Sequence, residues 1–143
     1  MNAALAIAVC GVFLVLALWH FRMAASVSAT GESGAVPSID GKPLFVPSKT
    51  ATVGVGVALL SFAVLVAATA GLLPLAVPRA LLVWLSYGLA LGLLMRAIGE
   101  FKYVGLFKRV RGSRFARLDT LLYSPLCLLL AIGVALVALR SAA

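Results

Sequence analysis

Four continuous apolar runs dominate the chain, from about Ala3 to Met23, Thr50 to Leu72, Pro78 to Ile98 and Asp119 to Leu139. None alternates apolar with polar positions, as a half-buried strand would, and none carries the polar stripe of a helix on a water-soluble core. A helix rises about 1.5 Å per residue, so about 20 residues cross the roughly 30 Å hydrocarbon layer of a bilayer. Each run meets that length. The pattern predicts an all-α integral membrane protein, a single domain over residues 1–143 folded as a four-transmembrane-helix bundle.

Composition strengthens this reading: 64% of residues are hydrophobic and 11% charged, too few charges for a water-soluble domain of this size. The net charge of +8 raises the question of nucleic acid, and the placement of the charges answers it. Arg22, Lys42, Lys49, Arg96, Lys102, Lys108, Arg109, Arg111, Arg114 and Arg117 flank or fill the first and third connections, whereas the other side holds only Arg79 and Arg140. By the positive-inside rule these connections face the cytoplasm and both termini are extracytoplasmic. No motif for RNA or DNA accompanies the charge, so no nucleic-acid partner is expected. Spans rich in Ala, Leu and Val suit a bacterial inner (cytoplasmic) membrane. The first run reads as a retained helix, because its start lacks Lys and Arg and its apolar length exceeds a usual signal core, although Val27-Ser28-Ala29 resembles a cleavage site.

The connections differ in character. Residues 26–49 contain Gly31, Gly34, Gly41, Pro37, Pro43 and Pro47, which exclude a regular helix. Asp40-Gly41 reads as a tight turn and Lys42 to Pro47 as an extended piece whose Leu44, Phe45 and Val46 fold back onto the membrane surface or the bundle mouth. Ser48 or Thr50 can cap the second helix. Pro74 and Pro78 fix a tight turn into the third span, which carries Gly88 and Gly92 four residues apart. That spacing permits close helix approach, within the chain or in a homo-oligomer.

The segment Gly99 to Leu118 is the most distinctive. Phe101, Val104, Phe107, Val110, Phe115 and Leu118 recur at roughly helical spacing among Lys102, Lys108, Arg109, Arg111, Arg114 and Arg117. Gly105 and Gly112 interrupt it, so one or two short interfacial helices are expected, basic toward anionic membrane lipids and aromatic toward the acyl chains.

Candidate chemistry lies at the same end. The acids Glu32, Asp40, Glu100 and Asp119 and the lone His20 all fall on the cytoplasmic side, where ionisable groups need partners or water. His20, Glu100 and Asp119 are the candidate acid–base residues; Arg96, Glu100, Lys102, Tyr103, Arg117, Asp119 and Tyr123 are the candidates for holding a ligand or headgroup. Arg96 and Glu100 can pair if the third helix continues that far. Asp119 also reads as the N-cap of the fourth helix, and His20 beside Trp19 as an interfacial anchor. Pro125 removes a helical donor and kinks the fourth span, with Ser124 placed to compensate. Cys10 and Cys127, inside spans and without a C-x-x-C pattern or a flanking His, read as buried free thiols. No catalytic triad order, metal-ligand spacing or Gly-rich phosphate loop occurs, and neither a metal nor another cofactor is expected.

Arg96-Ala97-Ile98-Gly99-Glu100-Phe101, Val104-Gly105, Phe115-Ala116-Arg117-Leu118-Asp119-Thr120 and Tyr123-Ser124-Pro125-Leu126-Cys127, with Asp40 to Phe45, Pro47-Ser48 and His20, form a recognisable set. The chain resembles a family of small four-span bacterial membrane proteins known as domain of unknown function 3995. Phe21 to Ala25 depart from the aromatic and Gly-rich stretch expected after His20. The resemblance implies an architecture and a candidate mouth, but no reaction. The functional expectation is a lipid- or amphiphile-binding or accessory module with its site at the cytoplasmic mouth. A membrane enzyme working on an apolar substrate is the alternative, and an oligomeric small-solute transporter the weaker one.

Overall fold

A computed structural model of the chain describes residues 2–26, 36–39 and 42–142. It is all-helical apart from one two-residue ladder, and four of its helices are long and apolar enough to cross a membrane. They are α1 (Asn2–Ala25), α2 (Lys49–Thr69), α3 (Arg79–Ile98) and a rod running from Arg114 to Ala142. The rod consists of α4 (Arg114–Leu118), a π-helical turn (Asp119–Tyr123) and α5 (Ser124–Ala142).

Local signals explain where these helices begin and end. Ser48 starts α2, its hydroxyl accepting a hydrogen bond from the Ala51 N–H at 3.1 Å. At the other end Gly71 takes φ 76°, and the Leu72 and Gly71 N–H groups turn back to the carbonyls of Ala67 (2.9 Å) and Ala68 (3.0 Å). This glycine-centred cap stops the helix before Leu72, although the apolar run continues.

α1 packs along α2, and α3 along α5; α1 also meets α5, and α2 meets both α3 and α5. Phe13, Val66, Val134 and Val137 are fully buried among Ala6, Val9, Ala63, Ala90 and Leu130. Phe13 and Phe62 meet edge to face at 5.8 Å. Two glycines set how closely α1 approaches its neighbours. The Phe21 ring lies 2.6 Å from where a Cβ on Gly56 would stand, and Val9 Cγ2 lies 2.8 Å from the same point on Gly133. Where α2 meets α3, Thr69 Oγ1 lies 2.8 Å from Leu65 O and 2.9 Å from Ser86 Oγ, so two buried hydroxyls satisfy each other without water. The outer faces stay apolar, with Val15, Leu18, Trp84, Leu91, Leu121 and Leu129 exposed, as in helices whose surroundings are hydrocarbon. Both cysteines are free and half-buried, and the Cys10 thiol donates to Ala63 O at 3.3 Å.

Several expectations are corrected. Gly88 and Gly92 are exposed and no atom lies within 4 Å of a Cβ built at either, so they bring no two helices of this chain together. Leu44, Phe45 and Val46 are exposed and so are not buried in the bundle mouth, the second of the two places expected for them. Ser38–Ile39 instead pairs antiparallel with Lys42–Pro43, while Glu32 and the Asp40-Gly41 turn lie outside the described residues. Of the one or two short helices expected between Gly99 and Leu118, α4 (Arg114–Leu118) is present and continues into the fourth span, whereas Gly99 to Gly112 is an irregular loop. The fourth helix begins five residues early: Ser113 is its N-cap, accepting from the Ala116 N–H at 3.1 Å, so Asp119 is no cap.

Candidate functional site

The site begins where α3 ends. Gly99 (φ 83°) and Gly105 (φ 96°) hold left-handed backbone that any side chain would strain. They also lie against each other: a Cβ on either would collide with the other's backbone. The Leu106 N–H donates to Ala97 O at 2.9 Å, closing the loop beneath the helix end. Two further backbone bonds, from Arg109 N–H to Phe101 O (3.2 Å) and from Val110 N–H to Lys102 O (2.9 Å), fold the rest back on itself. Phe101, with φ 65°, is the one non-glycine residue in left-handed backbone among those described.

That closure delivers two groups to Asp119, which the rod presents from the other side. Asp119 and Lys108 side chains are both fully buried. The Arg96 Nη2 donates to Asp119 Oδ1 at 2.9 Å. Asp119 Oδ2 accepts from the Gly105 N–H at 2.7 Å and from Lys108 Nζ at 3.0 Å. Lys108 Nζ places its other two protons on Gly105 O (2.9 Å) and Thr120 Oγ1 (2.6 Å). Thr120 in turn donates to Ala116 O at 3.1 Å. Every proton of the ammonium and both carboxylate oxygens therefore have partners, the condition under which a buried ion pair is tolerated. The cluster carries two cations against one anion.

The π-turn is what lets Asp119 occupy this place within a continuous helix. Pro125 has no N–H, and its ring would strike the carbonyl of Leu121 in a regular α-helix. One wider turn relieves this, with the Ser124 N–H donating to Asp119 O five residues back. The Asp119 carboxylate and carbonyl thus hold three elements: α3 through Arg96, the loop through Gly105 and Lys108, and α5 through the Ser124 N–H. Two polar atoms beside it, Arg96 Nη1 and Ser124 Oγ, are buried with no hydrogen-bond partner among the described residues.

The structure brings together only some of the residues singled out in the sequence. Arg96 and Asp119 meet directly. Glu100 does not pair with Arg96, because α3 stops at Ile98 and the Gly99 turn carries Glu100 away, exposed and without an ion pair to any described residue. His20 Nδ1 lies 2.7 Å from Leu16 O on its own helix. His20, Glu100 and Asp119 therefore share no bond. The Lys102 ammonium sits 4.9 Å over the Tyr103 ring, Tyr123 lies 6.1 Å from the Phe115 ring, and Arg117 is exposed on α4. Lys108, Gly105 and Thr120 are not among the candidate site residues read from the sequence. Lys108 is one base in a basic run, and its sequence signal is indirect: Asp119, one of the two acids that flank the run, needs a cation if buried.

Chemically, Asp119 is a clamp: both of its oxygens are engaged and its side chain is fully buried, so it presents no exposed oxygen to a substrate. What the clamp leaves outside is a cationic and aromatic rim, with Lys102, Arg109, Arg111, Arg114 and Arg117 exposed beside Phe101 (55%) and Phe107 (62%). Arg111 is itself anchored, its Nε donating to Lys108 O at 3.1 Å. A family model described as protein of unknown function (DUF3995) matches residues 4–134. No curated protein and no solved structure matches the chain.

Proposed function

Since the chain belongs to the DUF3995 family, whose description assigns no activity, we propose from its geometry a membrane-embedded binding or accessory module whose basic loop holds anionic lipid headgroups or a similar amphiphile. In this reading the four long helices form a bundle in a bacterial inner membrane, the loop lies on the cytoplasmic side and both termini lie outside. The observation that supports it is the division of labour among the charged residues of the loop and the helix ends that flank it. One lysine, one arginine and one aspartate are spent inward on holding its shape, while five cations and two phenylalanines face outward. A segment with cations and aromatics on one exposed surface suits the headgroup layer, where each nearby base contributes about 1 kcal/mol of attraction to an anionic leaflet. The enzyme reading gains no support, because its three candidate groups are not assembled, and the transporter reading gains none from the apolar span centres.

Lipid retention tests this. The full-length protein, extracted gently and measured by native mass spectrometry, should carry anionic phospholipid. The triple variant Lys102→Gln/Arg109→Gln/Arg111→Gln should carry several-fold less, with unchanged helicity. Equal retention in both would sink the proposal.

A further inference from the structure

The opposite end of the molecule holds a second polar feature that the loop site does not explain. Arg79 opens α3, and its Nε donates to the Ser141 carbonyl near the end of α5 at 2.7 Å. This bond fixes the guanidinium across the junction of the two helices without consuming its outer edge. Beside it is an open groove of about 370 Å³, lined by Arg79, Ala80, Val83, Trp84, Tyr87 and Ser141, among others. Trp84 and Tyr87 stand edge to face at 6.1 Å along its length, and Trp84 is 73% exposed.

Depth gives the groove a chemical gradient. At about 1.5 Å per residue, Trp84 lies about 7.5 Å below Arg79 along α3, and Tyr87 about 12 Å below it. One fixed guanidinium at the rim, followed by two amphipathic rings and then bare aliphatic helix, follows the order of phosphate, glycerol ester and acyl chain in a phospholipid. A guanidinium edge matches two phosphate oxygens, and Trp and Tyr favour the interface. The described acids with known surroundings, Glu100 and Asp119, belong to the far end of α3 and the start of the rod, so no described carboxylate competes for Arg79. The volume is within the range of small-ligand sites.

We propose that this groove seats one phospholipid of the leaflet at the α3 N-terminus, its phosphodiester on Arg79 and its glycerol and upper acyl segment along Trp84 and Tyr87. This site is separate from the basic loop and does not depend on it.

Trp84 reports on the groove directly once the only other tryptophan is removed by Trp19→Phe. Full-length protein in dodecyl maltoside micelles is titrated with phosphatidylglycerol while its emission is followed. A saturable change is expected, with half-saturation about ten-fold weaker in Arg79→Gln, which loses the charge-assisted contact. Ala80→Phe, which fills the groove and leaves Arg79 in place, should abolish the change and guards against a folding defect in the first variant. A non-saturable response, an unaltered titration in Ala80→Phe, or the same response to inorganic phosphate alone would each overturn the proposal. Because the signal comes from Trp84, none of these outcomes bears on lipid retention by the loop.

Discussion

Asp119 accepts three hydrogen bonds in a fully buried position, and Lys108 donates three. Their mutual attraction does not by itself make the protein more stable, because desolvating both charges offsets much of it. What the pair adds is geometric constraint: the three ammonium protons are met on the carboxylate, Gly105 O and Thr120 Oγ1 at once, which ties the loop to the rod. Removing Asp119 alone, which leaves two cations without an anion, should therefore cost more than removing it together with Lys108. Lys108→Met, close in shape, leaves Asp119 paired with Arg96 and takes the donor from Asp119 Oδ2, Gly105 O and Thr120 Oγ1, and should lower stability by about 2 kcal/mol, the cost of buried acceptors left unsatisfied. Lys108→Met/Asp119→Asn removes both charges of the pair together, and the amide oxygen keeps an acceptor for one of the two remaining donors, the Gly105 N–H or Arg96. Its loss should fall short of the sum of the two single variants by at least about 1 kcal/mol. Thermal unfolding midpoints of the four proteins in one detergent decide the matter; additive losses would mean that Lys108 and Asp119 do not act as a unit.

At the scale of elements, the loop between α3 and α4 owes its shape to backbone conformation as much as to charge. Gly105→Ala would force a Cβ into the backbone of Ile98 and Gly99 at φ 96°, withdrawing the N–H that binds Asp119 and exposing Lys108. Trypsin should then cut at Lys108 or Arg109 several-fold faster than in the parent protein, with helical content retained; equal cleavage rates would show that the loop does not depend on this turn. The same loop shows what the sequence could and could not convey. The spans were legible because hydrocarbon demands about 20 apolar residues whatever their neighbours, and α3 runs Arg79–Ile98 where Pro78 to Ile98 was expected. Their ends were less so. Gly71 stops α2 by a backbone cap that hydrophobicity does not register, and Ser113 starts the fourth helix inside a stretch whose arginines read as a separate interfacial segment. The roughly helical spacing of Phe101, Val104, Phe107 and Val110 suggested a helix that two left-handed glycines forbid. Within the site, Arg96 and Asp119 stood out as charges at span ends. Lys108 did not, since its burial depends on a loop closure that no local pattern encodes.

For the whole molecule, the antiparallel pairs α1–α2 and α3–α5 place the end of α1, the start of α2, the end of α3 and the start of the rod at one side. Ten of the twelve Lys and Arg residues belong to that side, and Arg79 and Arg140 to the other. Such an asymmetry over short connections sets orientation during insertion, so the expected topology is basic loops in the cytoplasm and the Pro74–Pro78 turn outside. Cysteine labelling can read this in intact bacterial cells. In a Cys10→Ala/Cys127→Ala background, a membrane-impermeant maleimide should label Leu75→Cys on the outer turn at once. It should label Phe107→Cys, exposed at the tip of the basic loop, only after the inner membrane is opened. The reverse pattern would put the cationic rim on the other face and remove the anionic cytoplasmic leaflet as its partner. It would also reassign the Arg79 groove to the inner leaflet without altering its chemistry. Neutralising Lys102, Arg109, Arg111, Arg114 and Arg117 together should weaken this preference, giving label at both positions in part of the population, because orientation follows the summed charge near the span ends and not any single residue.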